Sequence, residues 1–232
     1  METDYERRLR EMVEQVQAHD SIRTERYDRG PLATYMECAE DAFGIVRTVE
    51  KCPLPAALTR NFHRYSGLLF AWRALEPFRT IAGEFHLTHI GEALIRGAGK
   101  KPVAATASEE ERLIHGFRVF ETHPVGGTGT YVALRLTPGQ DSPELWYFDL
   151  RQGPTRLGLG YGDYLDVMVR TKGLYDWPYL FADPDPDNYG MRAALPCVSE
   201  GLDFLVREFP DDDLSDLRAR LEERVRVVGK DG

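Results

Sequence analysis

The chain has 232 residues, 42% hydrophobic and 11% aromatic, enough to fill a core and to set aside disorder of the whole. Its formal net charge of -9 repels phosphate backbones and disfavours general nucleic-acid binding. No apolar run approaches the ~18 to 20 residues of a membrane span, and the charged start Met1-Glu-Thr-Asp-Tyr-Glu-Arg-Arg lacks a signal peptide's apolar centre. A cytoplasmic protein without a membrane partner is therefore expected.

In chain order, the first helix is expected from about Asp4 to Ala18. Thr3 and Glu6 have capping-box spacing, and Tyr5, Leu9, Met12, Val13 and Val16 form an apolar stripe. Residues 20–30 read as a polar linker, broken by Gly30-Pro31. A second helix is expected to gather Leu32, Tyr35, Met36, Ala39 and Phe43 on one face and to stop at Gly44. Leu54, Leu58, Phe62 and Tyr65 recur at helical spacing, which predicts a third helix over Leu54 to Tyr65. Ser66-Gly67 ends it, and a strand from Leu68 to about Leu75 carries Trp72.

Further strands are expected from Gly83 to about Ile90, over Phe117 to Glu121, from Thr130 to Leu136 and from Glu144 to Leu150. In the last of these, Trp146, Phe148 and Leu150 share a side. Residues 100–111 read as an exposed loop of small residues followed by charges, and Gly126-Gly-Thr-Gly129 as a hairpin turn. Helical period returns from Tyr161 to about Lys172, with Gly173 as its stop. After the proline-rich stretch 183–188, two amphipathic helices use Leu202, Leu205, Val206 and Phe209, then Leu214, Leu217, Leu221 and Val225. The order predicts an α+β fold, a mostly antiparallel curved sheet with helices packed around it.

No chemical motif is complete. Gly158-Leu-Gly-Tyr-Gly162 has Asp163 at the third glycine position of a dinucleotide fingerprint and lacks the Lys and Ser/Thr of a phosphate loop. His86 and His89 are three apart, which on a strand sends them to opposite faces and away from one metal ion. Asp183, Asp185, Asp187 and Asn188 begin like a calcium loop, but the glycine and glutamate that such a loop needs are Asn188 and Ala194. Gly-x-Ser-x-Gly is missing. Cys38, Cys52 and Cys197 form no C-x-x-C pair and read as buried, inert thiols. Neither catalytic residues, nor a cofactor, nor a metal is expected.

Charge is uneven along the chain. Residues 51–101 hold eight Lys and Arg against three Asp and Glu, whereas residues 183–232 hold seven against thirteen. The acidic regions would attract a basic partner.

Leu54-Pro55, Phe62-His-Arg-Tyr65, Ser66-Gly67 and Leu68 to Trp72 together resemble the signature of the SUKH superfamily, the yeast Smi/Knr cell-wall regulators and their bacterial relatives. Tyr131 to Leu136 and Leu145 to Leu150 look like its central strands, and Tyr161-Gly-Asp-Tyr-Leu165 like its closing helix. Gly173-Leu-Tyr-Asp-Trp-Pro-Tyr-Leu-Phe181 resembles an extension seen in many members. Ser66 stands where asparagine is common.

The resemblance covers about residues 32–182 and implies a SUKH-like domain there; residues 1–31 are expected as an N-terminal helix and linker, and residues 183–232, beyond the family core, as an acidic helical extension packed on the same domain. It implies a non-enzymatic protein-binding module, an immunity protein that neutralises a cognate toxin, with a basic toxin domain as its partner. The alternatives are a regulatory interaction scaffold without a toxin, or a hydrolase-like enzyme with a dispersed site. The candidate partner-binding residues are Tyr161, Asp163, Tyr175, Asp176, Trp177 and Tyr179. The oligomeric state is left open.

Overall fold

A computed structural model describes residues 2–33, 37–50, 56–97, 103–137, 142–183, 185 and 188–228. Helix α1 (Asp4–Gln17) opens with the capping box: Thr3 Oγ1 accepts from the Glu6 amide, and the Thr3 amide donates to Glu6. Its stripe of Tyr5, Leu9, Met12, Val13 and Val16 is buried, and each such side chain contributes about 1.5–3 kcal/mol of apolar burial.

Seven antiparallel strands follow one another across the sheet in chain order: β1 (Ile22–Arg29), β2 (Gly67–Ala74), β3 (Ala82–Thr88), β4 (Phe117–Thr122), β5 (Tyr131–Arg135), β6 (Glu144–Asp149) and β7 (Gly153–Leu157). Helices α2 (Ala39–Glu50), α3 (Ile90–Gly97) and α4 (Glu109–His115) join the early strands. Helices α5 (Tyr161–Arg170), α6 (Tyr189–Glu208) and α7 (Ser215–Val228) complete the fold. The class is α+β, as the element order predicts. One core cluster runs from Tyr5 on α1 to Leu221 on α7, so the last two helices share the core of the sheet.

Several local expectations are overturned. The polar stretch 20–30 is not a linker but contains β1, a mostly exposed strand at the edge of the sheet. Residues 56–65 do not form the expected helix. Leu54 lies outside the described residues, a single 3-10 turn spans Ala56–Thr59, and the chain then runs irregularly to Tyr65. Asn61 takes a left-handed conformation at φ 60°, which Asn tolerates better than most residues. Beyond it the backbone pairs with the chain at Pro31 to Ala33: Ala33 N donates to Arg64 O at 2.8 Å and Ser66 N to Pro31 O at 2.9 Å. Leu58, Phe62 and Tyr65 are buried even so.

Gly44 lies inside α2 rather than at its end, and Tyr35 and Met36 fall outside the described residues. The supposed loop 100–111 ends in α4, capped by Ser108 and Glu111. On β6 the buried side is Leu145, Tyr147 and Asp149, while Trp146 and Phe148 face the other way and Leu150 is exposed in the following turn. Cys38 and Cys197 are exposed free thiols rather than buried ones, and Cys52 lies outside the described residues.

The sheet divides at one end. Strands β3 and β4 pair only at His86 with Thr122 and at Leu87 with Glu121. The start of β3 instead bonds to the segment after α5: Glu84 N donates to Gly173 O at 2.7 Å, and Tyr175 N to Ala82 O at 3.0 Å. Close approach explains two glycines here. A Cβ on Gly83 would sit 2.5 Å from Trp72 Nε1, and Gly173 has φ 69° with Phe85 and the Glu84 backbone against it.

Candidate functional site

The division of the sheet gathers polar side chains that would otherwise be far apart. Glu84 lies in it, fully buried, and accepts from Val125 N at 2.6 Å, Gly126 N at 2.7 Å and Tyr175 Oη at 2.6 Å. One carboxylate thus ties β3, the β4–β5 hairpin and the segment after α5 together. On β4 the pairing with β5 shifts between Val119 and Glu121, so Phe120 and Glu121 are both buried although consecutive. Such a bulge re-aims a side chain. Glu121 is held by the Tyr164 hydroxyl and by His123 Nε2 at 3.2 Å, and His123 Nδ1 contacts Thr130 Oγ1 at 2.5 Å.

Next to these groups, β6 supplies Tyr147 and Asp149. Arg151 donates to Asp149 through its backbone at 2.8 Å and its guanidinium at 2.9 and 3.1 Å, and the Tyr179 hydroxyl adds a bond of 3.1 Å. Burial would raise the Asp149 carboxyl, but these donors hold it below its ordinary range. Asp176 is different. It is left-handed at φ 63°; its carbonyl accepts from Tyr179 N at 3.0 Å, and the only hydrogen bond to its carboxylate among the described residues comes from Tyr147 Oη at 3.4 Å. Burial pushes its carboxyl up, Arg151 pulls it partly back, and Asp149 pushes it up again. The Tyr147 phenol is driven well above its usual value by burial, so it remains a donor.

Three apolar side chains stand out here, two on turns and one at the start of α6. Val125 is 41% exposed, Leu150 73% and Tyr189 65%. Leu150 packs on Gly129 of the hairpin, and Gly190, beside Tyr189, sits against Gln152 and the Tyr179 hydroxyl. The loop end of the sheet therefore combines an under-bonded carboxylate with exposed apolar groups.

No family model, curated protein or solved structure matches this chain.

The six residues expected to meet a partner are split by the structure. Tyr175 and Asp176 lie at the loop end, half-buried. Tyr161, Trp177 and Tyr179 are core residues and present no surface, a correction with a simple cause. The segment 177–180 is a 3-10 turn whose side chains pack inward, Trp177 against Tyr164 and Tyr179 against Tyr147. Asp163 is exposed but lies elsewhere, paired to Arg60 at 2.7 Å.

Asp163 adjoins a groove of about 770 Å³ between α1, the Arg60-Asn61 turn and the end of α5. Its charges are largely matched internally. Arg8 donates to Asp166 at 2.8 Å and to Asn61 at 2.7 Å, and Lys172 to Asp212 at 2.5 Å and Gln15 at 3.0 Å. It is a seam between elements. His86 meets Thr122 at 3.3 Å on the sheet, whereas His89 is buried 5.9 Å from His63. Among the described residues, no three His, Cys, Asp or Glu side chains are placed to hold a metal ion.

Val125, Leu150 and Tyr189 are not among the partner contacts expected from the sequence, where Leu150 reads only as a strand residue beside Trp146 and Phe148. Val125 and Leu150 sit in the turns after β4 and β6, and Tyr189 opens α6. Their convergence follows from strand order, which places the β4–β5 and β6–β7 turns near the segment after α5.

Proposed function

We propose that the chain is a non-enzymatic protein-binding module that docks its partner on the loop end of the sheet, and that it acts as an immunity protein against a basic toxin domain. The observation that carries the reading is Asp176. A half-buried carboxylate with one long phenolic donor has unused acceptor capacity, and a partner's Arg or Lys would supply what it lacks. Val125, Leu150 and Tyr189, exposed on the turns after β4 and β6 and at the start of α6, are the kind of apolar and aromatic anchors that dominate interfaces. The SUKH resemblance and the net charge of -9 favour a basic partner, steered by the acidic surface. A regulatory scaffold would use the same surface with a different protein.

The test is co-expression with the proteins encoded beside it. A toxin-like neighbour should bind the chain and lose its toxicity, and Asp176→Asn should weaken that complex at least tenfold while leaving the fold intact. Neighbours that neither bind nor lose toxicity would sink the proposal.

A further inference from the structure

The two edges of the sheet are finished differently. Strand β7 is closed: Pro154 has no amide to donate, Leu157 bridges Ala182, and bonds run from Gly158 N to Phe181 O at 2.8 Å and from Asp183 N to Arg156 O at 3.0 Å. At the other margin β1 presents eight residues; its outer edge holds one backbone bond at its start, from Ile22 N to His19 O at 3.1 Å, and among the described residues none closes it from Arg23 to Arg29. Unpaired amides and carbonyls in a row template the addition of a strand.

Charge decides which strand can add. Of the eight residues in Ile22-Arg-Thr-Glu-Arg-Tyr-Asp-Arg29, five are charged, with both signs present. Such an edge repels most incoming strands. The register with β2 skips at Glu25, so Arg23 faces Arg73, Arg26 faces Ala71 and Asp28 faces Leu69. Positions 69, 71 and 73 alternate along β2, which places Arg23, Arg26 and Asp28 on a single face of the sheet.

We propose that β1 pairs antiparallel with β1 of a second copy of this chain, about a two-fold axis at Glu25-Arg26, to make one continuous fourteen-stranded sheet. In that register Arg23 of each copy lies opposite Asp28 of the other, on the same face. Thr24 lies opposite Tyr27, and each Arg26 falls beside the bulged Glu25 of the other copy. The strand run against itself is thus complementary in charge at both ends, which satisfies the self-matching that a two-fold interface demands. Arg23 and Asp28 are more than half exposed and, among the described residues, are held only by neighbours on their own strand, Arg23 by Glu25 at 3.2 Å and Asp28 by Arg26 at 2.6 Å. Both are therefore able to turn to a second copy. A pairing of this length gives a weak dimer that depends on concentration.

Sedimentation equilibrium of the full chain tests it. The wild-type mass should climb from 26.4 kDa towards twice that value as concentration rises. Asp28→Arg alone and Arg23→Asp alone should each hold the chain at the single-copy mass, because each sets like charges opposite one another. Arg23→Asp combined with Asp28→Arg should recover the dimer, since the swap restores the complement. Circular dichroism of each variant separates lost pairing from lost folding. A wild type that remains at 26.4 kDa throughout overturns the proposal. So does a dimer that either single variant leaves intact, or a double variant that does not recover it.

Discussion

Arg64 grips Glu6 with its guanidinium at 2.7 to 3.1 Å and with its backbone amide at 2.7 Å, although the Glu6 side chain is wholly buried. The same carboxylate closes the capping box of α1, so one side chain both starts a helix and anchors the segment that leads into β2. Burial works against the charge, and the donors from Arg64 and Thr3 outweigh it and hold the carboxyl below its ordinary range. Removing one partner strands the other without its counter-charge. Glu6→Ala and Arg64→Ala should each cost about 3–5 kcal/mol in urea unfolding. Because they remove a shared interaction, the double variant should lose clearly less than the sum. Additive losses would show that the pair is not coupled.

A second prediction concerns acid. His63 is fully buried, and desolvation, helped by His89 close by, lowers it to about 4, with Glu6 pulling the other way. A lowered histidine is neutral in the fold but takes up a proton more readily when unfolded. Stability is therefore complete above the unfolded value of about 6.5 and is lost as pH falls from there towards 4. The full loss is about 3 kcal/mol. Glu6, also lowered, loses its contribution in the same direction but only below its unfolded value of 4.5. Urea unfolding of wild type and His63→Phe between pH 7 and about 4.5 should show a steep fall in the first and a much shallower one in the second. Parallel profiles would remove His63 as the cause.

How far the sequence discloses the fold depends on which residues carry the signal. Thr3 and Glu6 announce α1 because a capping box is local chemistry, and Gly173 marks the end of α5 because the chain there needs a positive φ. Strand β1 leaves no such trace. Only Ile22 of its eight residues is buried, so the alternation that betrays a strand is missing. The stretch from Leu58 to Tyr65 shows the reverse: its apolar residues are in the core, yet a left-handed Asn61 and pairing to the chain at residues 31–33 override the helical period. The Ser108 and Glu111 box of α4 was present in the sequence but lay behind a run of small residues that reads as loop. At the loop end, Asp176 is expected as an exposed acid among aromatics, and the structure places it half-buried. Its meeting with Tyr147 and Glu84's hold on the hairpin depend on long-range register, which no local pattern encodes.

Lys172 offers a third prediction. Its amine is buried, bonded to Asp212 at 2.5 Å and Gln15 at 3.0 Å, and lies 4.2 Å from the Phe209 ring, so it clasps α1 and the α6–α7 turn to the end of α5. Desolvation lowers its pKa, and Asp212 offsets part of that. Lys172→Met keeps the stem and discards the charge, leaving Asp212, about a third exposed, to return to water. It should cost less than about 1.5 kcal/mol in urea unfolding. Lys172→Ala also opens a cavity and should cost about 2–4 kcal/mol. Equal losses in the two variants would mean that the ion pair, rather than the packed stem, holds the turn.

Glu84 makes the last prediction, and it bears on the binding surface. Its two oxygens accept from Val125 N, Gly126 N and the Tyr175 hydroxyl, so three donors from two segments converge on them. Glu84→Gln keeps the shape but replaces one acceptor oxygen with an amide NH2 that donates and must face a donor. At least one buried amide or hydroxyl then loses its partner, at a cost of about 1–3 kcal/mol. The loss falls on the hairpin, since β3 remains held by β2 across seven residue pairs. Hydrogen exchange should therefore quicken at the Val125 and Gly126 amides while the amides of β2 stay protected. Because Val125 belongs to the proposed docking surface and Tyr175 adjoins Asp176, the same variant should weaken the partner complex without touching Asp176 itself. Unchanged exchange at both amides would show that the hairpin is held by its contacts with Leu150 and Tyr175 rather than by the buried carboxylate.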